Sequence, residues 1–109
     1  MKKKTFSNHV SNEKNDLKKP LLIEAGKFLR EKREVSGFSQ SDIAKLAGFT
    51  SPQFISNIER GIALPSPHVI GIMVTKYQFE PEEFLELIAE LKMEYYRRLF
   101  FPKHKKGSA

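Results

Sequence analysis

The chain has no cysteine in its 109 residues. That absence excludes disulfides and thiolate metal sites and fits a reducing compartment. Three scattered histidines, His9, His68 and His104, do not replace the missing ligands. Long apolar runs are also missing. The longest, around Val69 to Val74, is far below membrane-spanning length. Polar residues follow the basic N-terminus where an export signal would place an apolar core, so the expected location is cytoplasmic. There are no paired carboxylates at catalytic spacing, no nucleophile beside a base, no phosphate loop and no metal spacing. No enzymatic activity, cofactor, metal or small-molecule ligand is therefore expected.

What remains is a length suited to one domain, with 39% hydrophobic and 11% aromatic residues to build a core. The net charge of +6 sits at the ends: residues 1–20 carry +4 and residues 103–109 carry +3, while the stretch between them carries −1. The ends read as basic tails (1–20 and 102–109), disordered and flexible. They either assist encounter with a polyanion or serve solubility alone. Residues 21–101 read as the folded domain.

Between the tails the apolar periodicity is helical and no strand alternation stands out. A first helix is expected from Leu21, after the boundary at Pro20, with Leu22, Ala25, Phe28, Leu29 and Val35 on its apolar side; Gly37 ends it. Ser39 and Asp42 form a capping-box pattern opening a second helix. Its buried face is Ile43, Ala44, Leu46 and Ala47, and Gly48 supplies a left-handed stop.

The stretch SPQFISNIERG, residues 51–61, then reads as a third helix. Ser51 is its cap, Pro52 its first helical residue, Ile55 and Ile58 its apolar stripe and Gly61 its end. Gln53, Ser56, Asn57 and Arg60 fall on the other side. A fourth helix is expected from Ser66-Pro67, and a fifth, long one from Pro81 to Phe100. The class is all-α with five helices.

Two short helices joined by a glycine turn are the arrangement of a helix-turn-helix unit, in which the second helix enters the major groove of DNA. The details from SQSDIAKLAG through ISNIERG, across residues 22 to about 88, resemble the lambdoid repressor and Cro family of DNA-binding domains, also called the XRE family. The resemblance implies a lambda-repressor-like domain in which Gln40 and the second helix's N-terminal amides hold a phosphate. It implies that Arg33 and Glu59 form a structural ion pair. It points to Gln53 and Asn57, with Pro52 and Ser56 beside them, as the base-facing positions; the contacts expected for this chain are Pro52, Gln53, Phe54 and Asn57 to bases and Gln40, Lys45, Ser51, Ser56 and Arg60 to phosphates. From the residues themselves, Gln53 and Asn57 carry amides able to bond adenine N6 and N7 in pairs.

The chain departs from the family pattern at three places. Phe49-Thr50 makes the turn one residue longer than the commonest spacing. Pro52 replaces a polar reader, leaving only van der Waals contact. Phe54 stands where a small polar residue is usual, as a wedge at the DNA face or as packing beneath the turn. Arg60 either touches phosphate or complements the helix end.

The last helix is too long for the core it must cover. Its apolar residues, with Leu87, Leu91, Tyr95 and Leu99 on the expected interface, suggest a homodimer; folding back on its own domain is the competing arrangement. The resulting expectation is a sequence-specific DNA-binding transcriptional regulator, a repressor, that binds double-stranded DNA through residues 51–60. An antitoxin-like or adaptor protein whose main role is binding another protein is the alternative.

Overall fold

The computed structural model describes the backbone of residues 2–103 and the side chains of residues 19–103. Five helices account for nearly all of it: α1 (Lys2–Ser36), α2 (Gln40–Ala47), α3 (Gln53–Glu59), α4 (Pro67–Tyr77) and α5 (Pro81–Phe100). No strand occurs among the described residues. The fold is all-α.

α1 is longer than the sequence suggests. It passes through Pro20, where the sequence places a boundary, and begins at Lys2. A proline inside a helix removes one backbone donor and crowds the preceding turn, but the flanking Lys, Asn, Glu and Leu residues are compatible with helix on both sides. The basic side chains of residues 1–18 and all of residues 104–109 lie outside the described residues, and with them most of both expected tails.

The buried stripe of α1 is Leu21, Ala25, Leu29 and Arg33, at four-residue spacing. Phe28 packs beside it, whereas Val35, expected on the apolar side, is 87% exposed. Two residues beyond Arg33 is about 200° around the helix, so Val35 points away from the stripe. Leu46 of α2 is likewise half exposed, because the stripe there is Ile43, Ala44 and Ala47. The core closes with Ile55 and Ile58 from α3, Val69, Met73 and Tyr77 from α4, and Phe79.

Local signals set the boundaries of α2. The Ser39 hydroxyl accepts from the Asp42 N–H at 3.0 Å, and the Asp42 carboxylate accepts from the Ser39 N–H at 2.9 Å. Gly48, at φ +87°, ends α2 in a left-handed turn that lets Phe49 N–H return to the Ala44 carbonyl at 2.8 Å. Gly61 closes α3 in the same way, with Ile62 N–H on the Asn57 carbonyl at 2.9 Å. A Cβ on Gly61 would stand 2.7 Å from the Ile23 Cα, so this turn also needs a residue without a side chain.

α3 begins one residue later than the sequence suggests. Pro52 occupies the cap position at φ −77°, ψ 0°, and Gln53 is the first helical residue. The Ser51 hydroxyl accepts only from Gln53 N–H, at 3.4 Å, a link across the turn rather than a helix cap. α5 lies chiefly along α1, which carries more of its contacts than any other helix. Lys32 bonds Glu83 at 3.1 Å and the Phe28 and Phe84 rings are 5.7 Å apart, which fix the start of α5 against the end of α1.

Candidate nucleic-acid interface

α3 is held at its base by a buried ion pair. Arg33 Nε donates to Glu59 Oε2 at 2.7 Å and Nη2 donates to Oε1 at 3.1 Å, with the two residues 9% and 7% exposed. The third guanidinium nitrogen, Nη1, donates to the Phe38 carbonyl at 2.8 Å. One side chain thus ties α1, the α1–α2 turn and α3 together. The bond from Glu59 raises the Arg33 pKa against the opposing effect of burial. Gln40 Nε2 also donates to Glu59 Oε1, at 2.9 Å, so both carboxylate oxygens are used.

That last bond redefines Gln40. Half of its NH2 is committed to Glu59, which fixes the amide's direction and leaves its second N–H free to donate outward. The outward direction opens on a cleft of about 560 Å³ bounded by Arg30, Ser39, Ser41, Pro52, Ser56 and Arg60, along with the ion pair. Because Arg33 and Glu59 neutralise each other, the charge facing this space comes from Arg30 and Arg60. A mouth lined by hydroxyls, a helix start and two guanidinium groups suits a phosphate. Arg30 did not stand out in the sequence, although it lies one turn before Arg33; its own carboxylate partner is Glu34 at 3.1 Å, and both are exposed.

The outer face of α3 carries a second network. Gln53 Nε2 donates to Asn57 Oδ1 at 2.9 Å, and Arg60 Nη2 donates to the same oxygen at 2.7 Å. Among the described residues this leaves Gln53 Oε1 and the Asn57 NH2 without partners, an acceptor and a donor one helical turn apart. Arg60 is therefore engaged with Asn57 rather than with the helix terminus. Ser56 is half-buried and lines the cleft, while Ser51 and Pro52 are exposed at the entrance to α3.

Phe54 stacks on Phe49, with ring centroids 4.7 Å apart and an interplanar angle of 26°. One face of Phe54 is occupied by this stack, so the lengthened turn gains an internal brace. The ring remains 37% exposed at its other side. Lys45, exposed on α2, borders a small hollow of about 50 Å³ beneath the same turn.

The apolar residues of α5 divide between two sides of the helix. Leu87, Leu91, Tyr95 and Leu99 are half-buried within the single chain, on the side of α5 that carries Phe84 into the core. The large apolar side chains left in solvent are Leu85, Met93, Tyr96 and Phe100. The physical reason is the placement of α5 along α1, which covers one side of the helix and leaves the opposite one bare.

Two short helices with a left-handed glycine turn, the second presenting polar side chains outward and buried isoleucines inward, define the helix-turn-helix class. The chain belongs to the helix-turn-helix domain family, whose model matches residues 24–87. This match bears out the resemblance drawn from the Ser39–Gly61 region and supports DNA binding by a regulatory protein. No match was found among curated proteins or among solved structures. No helix among the described residues is long and apolar enough to cross a membrane, and no group of three potential metal ligands occurs among them.

Proposed function

We propose that the chain is a sequence-specific transcriptional regulator of the lambdoid repressor and Cro type, which represses by occupying its operator as a homodimer in the cytoplasm. The observation that carries this reading is the pair of open groups on α3. Gln53 Oε1 can accept from adenine N6 while the Asn57 amide donates to N7, or each side chain can address its own base after the bond between them is exchanged. Pro52 and the exposed edge of Phe54 supply apolar contact to a thymine methyl. Gln40, with its direction set by Glu59, anchors a backbone phosphate at the cleft, and Arg60, Ser51, Ser56, Lys45 and Arg30 surround the path of the strand.

One such helix reads few bases. Each good bidentate contact discriminates by about 1–3 kcal/mol, so one half-site gives modest selectivity and two give a usable ratio. Two copies related by a two-fold axis would read an inverted repeat with half-sites about one turn of DNA apart. The test is selection of bound duplexes from a random pool at near-physiological salt. Enrichment of an inverted repeat supports the reading. Absence of any enriched motif contradicts it and favours an adaptor or antitoxin-like protein whose partner is another chain.

A further inference from the structure

The exposed side of α5 is not randomly apolar. Leu85, Ala89, Met93, Tyr96 and Phe100 follow one another at spacings of four, four, three and four residues, which places them on one stripe. Leu85 and Met93 are each 60% exposed. The stripe spans sixteen residues, about 22 Å of helix, and no element of the described chain covers it. Tyr96 and Phe100 are already stacked on each other, with centroids 5.7 Å apart at 10°, so part of the surface is ordered before anything binds.

Charge and size along the helix select the occupant. The first half carries Glu82, Glu86 and Glu90, exposed and without a partner among the described residues; the end carries Arg97 and Arg98, with Lys103 in the turn just beyond it. Glu86 and Glu90 flank the stripe on the same side as Arg97. A surface acidic at one end and basic at the other is complementary to itself when reversed, and repels itself when laid parallel with like ends together. Reversal also opposes the two helix dipoles.

We infer that this stripe binds a second copy of the same chain, with the two α5 helices antiparallel and crossing near Met93. The inference rests on the homodimer reading above and gives it a surface and a direction. In this register Leu85 meets the partner's Phe100. Ala89, the smallest residue of the stripe, receives the partner's Tyr96, and Met93 lies beside the partner's Met93. Glu86 and Glu90 then approach the partner's Arg97, whose other contact is Glu94 of its own helix at 2.6 Å.

The absence of cysteine makes the arrangement directly testable, because any disulfide must come from an introduced residue. Full-length Met93→Cys, Leu85→Cys and Phe100→Cys variants, with melting temperatures checked against the parent, are oxidised at concentrations where sedimentation shows a dimer. Met93→Cys should cross-link to itself. Leu85→Cys alone should give at least about tenfold less covalent dimer, since its two copies would stand about 22 Å apart, far beyond disulfide reach. Mixing Leu85→Cys with Phe100→Cys should restore cross-linking. Self-cross-linking of Leu85→Cys as efficient as that of Met93→Cys would mean parallel pairing and overturn the inference. A dimer in which none of the three cross-links would place the interface elsewhere and overturn it while the homodimer reading survives. A chain that sediments as a monomer, free and on DNA, would overturn both and leave base reading by α3 to its own test.

Discussion

Arg33 and Glu59 meet through two hydrogen bonds, at 2.7 and 3.1 Å, in a site that solvent barely reaches. The pair sets the position of α3 relative to α1 and, through Gln40, the direction of a donor at the cleft. Removing one member leaves the other charged and unpaired in the interior. Arg33→Ala should therefore lose about 3–5 kcal/mol of stability in urea denaturation. A loss below about 1 kcal/mol would mean that water replaces the guanidinium freely.

Tyr77 gives the opposite case. Its hydroxyl is buried without a hydrogen-bond partner among the described residues, and burial first, then Glu59, pushes its ionisation well above the ordinary phenol range, with Arg33 opposing. Tyr77→Phe removes an unsatisfied polar atom at nearly constant shape, so stability should be unchanged or rise by about 1 kcal/mol. A loss of similar size would reveal a bound water on that oxygen.

Two helical glycines should respond differently to alanine. A Cβ on Gly26 would stand 2.5 Å from the Ile58 carbonyl oxygen and 2.6 Å from that of Glu59, both backbone atoms of the segment ending α3. Gly26→Ala should force α1 and α3 apart and cost about 1–3 kcal/mol or more. Gly71, in α4, has open space around its would-be Cβ, and Gly71→Ala should stabilise by about 1 kcal/mol through helix propensity. Thermal or urea melts of the two variants check the contrast.

Much of this geometry was legible in the sequence, and the misses have physical causes. Caps and stops at Ser39, Gly48, Ser66 and Pro81 are local, since each depends on a hydrogen bond or a dihedral angle within a few residues, and the starts and ends they predict hold. The cap expected at Ser51 falls one position later, at Pro52, because the Ser51 hydroxyl bonds across the turn before the helix begins. The closeness of Gly26 to α3 is a tertiary contact; the only local hint was a glycine inside a helical pattern. Which side of α5 is covered within the chain could not be read locally, because both of its sides are apolar and only the position of α1 decides. Likewise, the cleft around Arg30 and Gln40 exists only once three separate segments are assembled.

Acid should weaken the fold through three surface carboxylates. Asp42 is held below its ordinary pKa by the Ser39 backbone and hydroxyl, Glu83 by Lys32 and the Glu80 backbone, and Glu94 by Arg98 and then Arg97. A depressed folded-state pKa contributes stability that is present above the unfolded value, roughly pH 4, and is lost as pH falls through the folded value. Melting temperature should drop below about pH 4, and Asp42→Asn should make that drop shallower. An acid slope unchanged by Asp42→Asn would show that its capping bonds persist in the unfolded chain.

The central claim is that α3 reads bases through Gln53 and Asn57. It is tested most directly by measuring the affinity of the parent, Gln53→Ala and Asn57→Ala for a selected duplex and for a scrambled duplex of equal length and salt. Each substitution should weaken the selected complex by about 10- to 100-fold, as the loss of about 1–3 kcal/mol requires. Affinity for the scrambled duplex should stay the same, because phosphate contacts are untouched. Equal losses on both duplexes, or no loss on either, would contradict base reading by this helix.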